Sequence, residues 1–82
     1  MPTILRFAGL RVAIYTNDHR PAHVHFIGNG CEAVFKMNCH GGPIALRENY
    51  GFALVRLRYI KSVLREHRSR ICSAWEKTHG PE

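Results

Sequence analysis

The part of the sequence richest in reactive side chains is the segment 17–25, which reads Asn-Asp-His-Arg-Pro-Ala-His-Val-His. Three histidines, an aspartate and an arginine fall within it. Histidine serves as a general acid or base near neutral pH and as a metal ligand. A neighbouring carboxylate adds a second base or ligand, and a guanidinium adds a phosphate-binding group. The segment is therefore the first candidate for a functional site.

Three kinds of chemistry suit these residues. Alternation along a strand places His23 and His25 on one face, where they would act as acid and base in RNA cleavage. Asp18 and His19 would lie beside them in the preceding loop, with Arg20 on the phosphate. A metal ion would instead take Asp18, His23 and His25 as ligands. In the third case the same rings would form hydrogen bonds with a partner molecule. The alternative to all three is that these residues have no function and are only the polar side chains of a half-exposed strand.

The spacing of these side chains matches no Cys/His metal-binding template, so we predict no resident metal and no other cofactor. If a metal is bound, the ligands would be Asp18, His23 and His25. Serine, histidine and aspartate are not arranged as in a hydrolase, and the sequence has no glycine-rich phosphate loop before its helical region. The candidate catalytic residues are therefore His23, His25, Asp18 and His19.

Two β-hairpins must position this segment. Residues 3–15 predict a hairpin with its loop at 8–9, and residues 22–37 predict a second around Asn29-Gly30, a strong hairpin signal. Alternating apolar residues fix the registers. The predicted pairs are Phe7 with Leu10, Leu5 with Val12, Gly28 with Cys31, Phe26 with Ala33, and Val24 with Phe35.

The second half of the chain predicts a short strand and one long helix. Residues 44–47 would form the strand, with Leu46 buried, and residues 48–51 would break the chain. From about 53 to 79, apolar residues recur at three- and four-residue steps, typical of a helix facing a core. We therefore predict an α+β fold within a single domain, 1–82. It has an antiparallel sheet of four to five strands (two hairpins plus a short strand, 3–47) packed on one long C-terminal helix.

Length and composition exclude several classes of protein. A chain of 82 residues is too short for two domains. No apolar run approaches the ~18 residues that span a membrane. Arg6 and Arg11 interrupt the apolar N-terminal stretch, which argues against a signal peptide. Three cysteines without close pairing do not indicate a disulfide framework. These features predict a cytoplasmic protein in a reducing compartment, without a membrane partner.

Positive charge is concentrated in the predicted helix. The chain carries 12 Lys and Arg against 6 Asp and Glu, a net charge of +6. Unlike an ordinary solvated face, the helix has far more basic than acidic residues, which favours a contact with nucleic acid or an acidic protein. Unpaired sheet edges would also allow a homo-oligomer. The residues predicted to make the anionic contact are Arg20, Arg56, Arg58, Lys61, Arg65 and Arg68.

Several segments together resemble a bacterial protein family. The chain resembles the domain-of-unknown-function 4160 family in residues 1–6, 17–25, 32–35, 46–49 and 51–52 and in the late Trp75. The most specific part is the string Asp-His-x-Pro-x-His-Val-His at residues 18–25. Residues 38–42 and the arginine-rich helix depart from the family's usual pattern.

The resemblance implies a small bacterial protein encoded beside a second small protein of the 2442 type. Such pairs are regarded as toxin–antitoxin-like modules, with the 4160-type member as the toxin. It also implies that Asp18, His23 and His25 match the family signature, without assigned roles. We therefore expect a toxin-like component that binds or cleaves nucleic acid, with RNA favoured and a ribonuclease-like activity if it is an enzyme.

Two other functions stay open at this point. One is a non-enzymatic basic module that binds a small acidic protein encoded by the neighbouring gene. The other is a metal-dependent site at the histidine segment. Binding of nucleic acid, and its dependence on salt, would separate the first alternative from the expected function.

Overall fold

The computed structural model describes residues 3–7, 9–15 and 17–80, and only the backbone of Thr3 and Phe7. In these ranges five strands precede two helices. The elements are β1 (Thr3–Phe7), β2 (Leu10–Ala13), β3 (His23–Gly28), β4 (Cys31–Lys36), β5 (Ala45–Tyr50), α1 (Leu54–Glu66) and α2 (Arg68–His79). The strands form one antiparallel sheet in the order β1-β2-β3-β4-β5. The predicted α+β class and the predicted antiparallel sheet of four to five strands are confirmed, and the sheet has five strands.

Both predicted hairpin registers are confirmed. The observed partners are Phe7 with Leu10, Leu5 with Val12, Gly28 with Cys31, Phe26 with Ala33, and Val24 with Phe35. In the second hairpin Asn29 and Gly30 both have positive φ, 52° and 75°. A two-residue type I′ loop requires this conformation, which asparagine and glycine tolerate best. Ala8, in the first predicted loop, lies outside the described residues.

The fifth strand differs from its prediction. β5 continues to Tyr50, so the predicted break at 48–51 is wrong. Leu46 is 44% exposed, whereas Ile44, just before the strand, is fully buried. β5 is an edge strand that pairs only with β4 among the described strands. Backbone pairing alone can hold such an edge, so its side chains need not follow the apolar alternation on which the prediction relied.

Sheet and helices contribute to one hydrophobic core. Alternate residues of the two hairpins are buried, as predicted from their pattern. The core members from the helices are Leu57, Ile60, Leu64, Ile71, Cys72 and Trp75. The opposite face of the sheet is also partly closed, because Ala13, His23 and Val34 are buried there. The face of the sheet that carries His23 and His25 is therefore less exposed to solvent than the polar sequence of residues 17–25 suggests.

The single long helix predicted for residues 53–79 is wrong. The helix breaks at His67, whose φ and ψ are −108° and 17°, and no glycine or proline marks the position. The apolar stripe continues on both sides, so its periodicity predicts one element. Beyond the break, α2 is tied to the loop before β5. Arg68 donates a hydrogen bond to the carbonyl oxygen of Gly42 at 2.7 Å.

A disulfide adds a second tie, which the sequence did not predict. Cys39 and Cys72 are bonded across 33 residues of sequence, with their Cα atoms 5.9 Å apart. Such a distant pair has no local signature, and only the fold brings it together. Cys31 is the free cysteine of the described chain. The cysteines thus no longer argue for a reducing compartment. None of the helices in the described chain is long and apolar enough to span a bilayer.

Candidate functional site: a histidine–aspartate cluster and a basic helix

Asp18 contacts both histidines of β3. Its two carboxylate oxygens each lie 3.1 Å from Nε2 of His25, and Oδ1 lies 3.5 Å from Nε2 of His23. The three side chains are only 9–14% exposed. One oxygen of Asp18 and one nitrogen of each ring all lie within 4.8 Å of one another. We call these three residues the histidine–aspartate cluster.

Local structure explains how the cluster forms. His23 and His25 are two residues apart in a strand, so their side chains share one face while Val24 enters the core. Asp18 comes from the loop before β3. The backbone N–H of Tyr15 donates to Oδ2 of Asp18 at 3.0 Å, and the N–H of Asp18 donates to the carbonyl of Tyr15 at 3.1 Å. This turn, in which an aspartate bonds nearby backbone, fixes the carboxylate over the strand.

The other ring nitrogens of the two histidines also have partners. Nδ1 of His23 lies 2.8 Å from the carbonyl oxygen of Pro21. A carbonyl oxygen only accepts hydrogen bonds, so this Nδ1 carries a hydrogen. Nδ1 of His25 lies 3.1 Å from Oε2 of Glu32 on β4 and donates to that carboxylate. Both rings therefore present Nε2 to Asp18.

Aromatic rings hold the histidines from the side. The ring of Tyr15 is 4.4 Å from that of His25, and the ring of Trp75 is 5.3 Å from that of His23. His79 stacks on Trp75 at 4.3 Å, and its Nε2–H donates to the carbonyl of Tyr15 at 3.0 Å. The last turns of α2 thus cover the cluster and restrict rotation of the two histidine rings.

Burial and hydrogen bonding act in opposite directions on Asp18. Burial alone would raise the pKa of this carboxyl group. The hydrogen bonds from the Tyr15 backbone and from His25, with the charge of the histidines, outweigh burial, so the pKa of Asp18 lies below its ordinary value. The carboxylate is therefore ionised at neutral pH and attracts a cation.

The remaining predicted residues of the segment do not join the cluster. His19 is exposed in the loop. Arg20 is also exposed and donates a hydrogen bond to the carbonyl oxygen of His79 at 3.1 Å, at the C-terminal end of α2. A basic side chain at this position satisfies an end carbonyl of a helix. Catalysis by the histidines and phosphate binding by Arg20 stay predictions.

Three residues that contact the cluster were not among the candidates predicted from the sequence. For Glu32 the sequence does hold a signal, because the register of the second hairpin places it on the same strand face as the histidines. Tyr15 and His79 have no such signal, because they reach the cluster through a loop and through the distant end of the chain. Their spacing in sequence from His25 does not indicate contact.

The basic residues of the helices divide into two groups. Arg68 and Arg70 donate hydrogen bonds to backbone carbonyl oxygens of Gly42 and Ile4, so they help to hold the fold. Arg58, Lys61 and Arg65 follow one another on one side of α1, and we call them the basic row. None of the three ion pairs found in the described ranges involves the basic row, since all three join histidines to carboxylates.

Exposed apolar and aromatic side chains also lie on α1. The guanidinium of Arg56 is 5.8 Å from the centre of the Tyr59 ring, and Tyr59 is 46% exposed. Leu54 and Val55 are 64% and 73% exposed. A shallow apolar groove runs between β5 and α1. Its lining residues are Phe35, Leu46, Leu54, Leu57, Arg58 and Lys61.

Comparison with known proteins gives one result. Neither the curated proteins nor the solved structures contain a match to the chain. A family model described as "Domain of unknown function (DUF4160)" matches residues 9–76, a range that includes the histidine–aspartate cluster and the basic row. Since this match covers well over half of the sequence, the protein belongs to the DUF4160 family.

Proposed function

We propose that the protein binds nucleic acid, with RNA favoured, through the basic row of α1, and that it is the toxin-like component of a bacterial two-gene module. The observation that carries this proposal is the basic row itself. Arg58, Lys61 and Arg65 lie within about 10 Å along the helix axis, at 1.5 Å per residue. Cations that no carboxylate of the described chain neutralises are suited to bind successive phosphates.

An exposed aromatic residue on the same helix supports a single-stranded ligand. Tyr59 is exposed, with the Arg56 guanidinium near its ring. An exposed aromatic ring stacks with any base, and it does so best where the base is unpaired. Of the two other tyrosines, Tyr15 packs on His25 and Tyr50 donates a hydrogen bond to Glu48 on the edge strand β5. Tyr59 is the exposed ring on the helix that carries the basic row.

Equilibrium binding to a labelled single-stranded RNA, measured by anisotropy at several salt concentrations, tests the proposal. We expect the R58Q/R65Q variant to bind more weakly and its salt slope to fall by about 1.4, at about 0.7 per phosphate contact on a single strand. The matched control is R6Q/K77Q, which loses the same charge at two exposed positions away from the row. Equal effects of the two variants, or binding that does not respond to salt, would refute the proposal.

The predicted cleavage of RNA can be followed in the same samples. After incubation with and without EDTA, the length of the RNA is compared for the wild-type protein and for the His23→Gln variant. Loss of full-length RNA only with the wild-type protein would assign cleavage to the cluster. Intact RNA throughout would restrict the function to binding.

A second candidate function rests on the apolar groove. We propose as the alternative that an acidic, amphipathic segment of a small partner protein occupies the groove, with its carboxylates on Arg58 and Lys61. The exposed Leu54 and Val55 favour this partner, because phosphates do not require aliphatic surface. The L54Q variant separates the two functions. It would weaken binding of the acidic protein encoded by the neighbouring gene, measured by calorimetry, and leave RNA binding unchanged.

A further inference from the structure

We infer that Asp18, His23 and His25 form a site for a single divalent transition-metal ion of the zinc or cobalt type. In this site Glu32 and the carbonyl of Pro21 orient the two imidazole ligands. The inference does not depend on the proposed function, because the ligands belong to β3 and the loop before it, whereas the basic row belongs to α1.

Two of the three distances between the ligand atoms suit such an ion. Bonds of about 2.0–2.1 Å in a tetrahedral zinc site place neighbouring ligand atoms about 3.3 Å apart. Oδ1 of Asp18 is 3.1 Å from Nε2 of His25 and 3.5 Å from Nε2 of His23. These two distances between ligand atoms lie on either side of the ideal value. The third distance, between the two ring nitrogens, is no longer than 4.8 Å.

The tautomers of both histidines are those of metal ligands. Nδ1–H of His23 donates to a carbonyl oxygen, that of Pro21, and Nδ1–H of His25 donates to the carboxylate of Glu32. Metal-bound histidines almost always donate their second N–H to such an acceptor, which fixes the ring and directs the lone pair of the other nitrogen at the ion. Here both Nε2 atoms point to the same carboxylate.

Charge and burial supply a separate argument. The contact between Nε2 of His25 and the carboxylate of Asp18 is attractive only when a positive centre, a proton or a metal ion, lies between them. A carboxylate in such a buried position also needs a counter-charge. A divalent ion would serve both rings at once and balance the charges of Asp18 and Glu32.

Two imidazoles and one carboxylate define the class of metal and leave room for chemistry. This donor set suits zinc, cobalt and iron(II), whereas magnesium and calcium prefer oxygen ligands alone. Three protein ligands leave at least one coordination position for water or a substrate oxygen, as in catalytic metal sites. The site therefore fits a Lewis-acid role better than a purely structural role.

The only tryptophan of the chain provides the readout. Trp75 lies 5.3 Å from the ring of His23, centre to centre, so a Co²⁺ ion in the site would quench its fluorescence. Protein prepared without an affinity tag and treated with a chelator is titrated with Co²⁺, and Zn²⁺ is then added in competition. We expect saturable quenching at one ion per chain, confirmed by elemental analysis after gel filtration, and its reversal by Zn²⁺.

Variants test whether the ion occupies the inferred ligands. Asp18→Asn and His25→Gln should each weaken Co²⁺ binding more than 100-fold. Glu32→Gln should weaken it about 10- to 100-fold, the usual effect of an outer hydrogen-bond partner. The matched control is His19→Gln, an exposed histidine one residue from Asp18, which should bind Co²⁺ like the wild-type protein.

The outcomes that overturn the inference are equally definite. Absence of quenching by about millimolar Co²⁺ would mean that protons alone hold Asp18, His25 and Glu32 together. Equal Co²⁺ affinity in the wild-type protein and the Glu32→Gln variant would place the ion elsewhere. The side chain of Glu32 is 41% exposed, so this variant keeps the core and gives a result even if Asp18→Asn does not fold.

Discussion

Reduction of the Cys39–Cys72 disulfide should remove a large part of the stability of the protein. The bond closes a loop of 33 residues. Loss of chain entropy in the unfolded state, −2.1 − 1.5R ln n, amounts to about 12 cal/mol/K for this loop, or about 4 kcal/mol at 25 °C. At about 0.05–0.15 kcal/mol per residue, a chain of 82 residues has a free energy of unfolding of about 4–12 kcal/mol. The disulfide therefore supplies at least about a third of the total.

The disulfide joins α2 to the loop before β5, and the hydrogen bond from Arg68 to Gly42 is a further tie between the same two parts of the chain. An exposed hydrogen bond of this kind contributes only about 1 kcal/mol. Cys72 itself is buried in the core. We therefore expect reduction to loosen the attachment of α2 before the hairpins unfold.

Guanidinium unfolding, followed by far-UV circular dichroism with and without reductant, measures the effect. With a slope of about 2 kcal/mol/M for a small domain, a loss of 4 kcal/mol lowers the midpoint by about 2 M. The C39A/C72A variant should unfold near the midpoint of the reduced wild-type protein and should not respond to reductant. Cys31→Ser serves as the control and should respond fully. An unchanged midpoint for the reduced wild-type protein would refute the entropic account.

Three substitutions test the packing by the same unfolding measurement. Gly28→Ala would place its Cβ too close to Cδ2 of the buried Leu10, and we expect a loss of about 1–3 kcal/mol from overpacking. A neutral result would show that Leu10 can move freely. Asn49→Ala removes the two hydrogen bonds to the backbone of Phe52, at 3.0 and 3.1 Å, at a cost of about 1–2 kcal/mol, and Asn49→Asp should recover part of it. Leu64→Ala leaves a cavity in the core and should cost about 2–5 kcal/mol, with no change in RNA binding.

Local signals were enough to predict the hairpins. Asn29-Gly30 determines where the second hairpin turns, and the alternation of apolar residues determines which face enters the core. Both signals lie within about ten residues of the elements that they specify. The class of the fold follows from the hairpins and the change to helical periodicity after residue 53.

Features that depend on distant contacts could not be predicted in this way. The break at His67 is marked by no glycine or proline in the sequence. The partner of Cys39 lies 33 residues away, and β5 is an edge strand without an apolar pattern. Each of these features becomes visible only when the fold has brought separate parts of the chain together.

The candidate site shows the same division. Strand alternation predicts that His23 and His25 share a face, and proximity in sequence suggests Asp18 as their neighbour. Spacing alone could not show which ring nitrogens are occupied by other partners. That information comes from Glu32 on the next strand and from the Pro21 carbonyl, and it is what favours a metal ligand set.

The order of the strands also has a consequence for the speed of folding. Each strand pairs with its neighbour in the chain. Even the two longest connections between strands, 14–22 and 37–44, have fewer than ten residues. The entropy lost when such loops close is small, and a low mean sequence separation of contacts is associated with rapid folding. The sheet can therefore grow one hairpin at a time. The helices, which must reach back across the chain, would complete the native structure last.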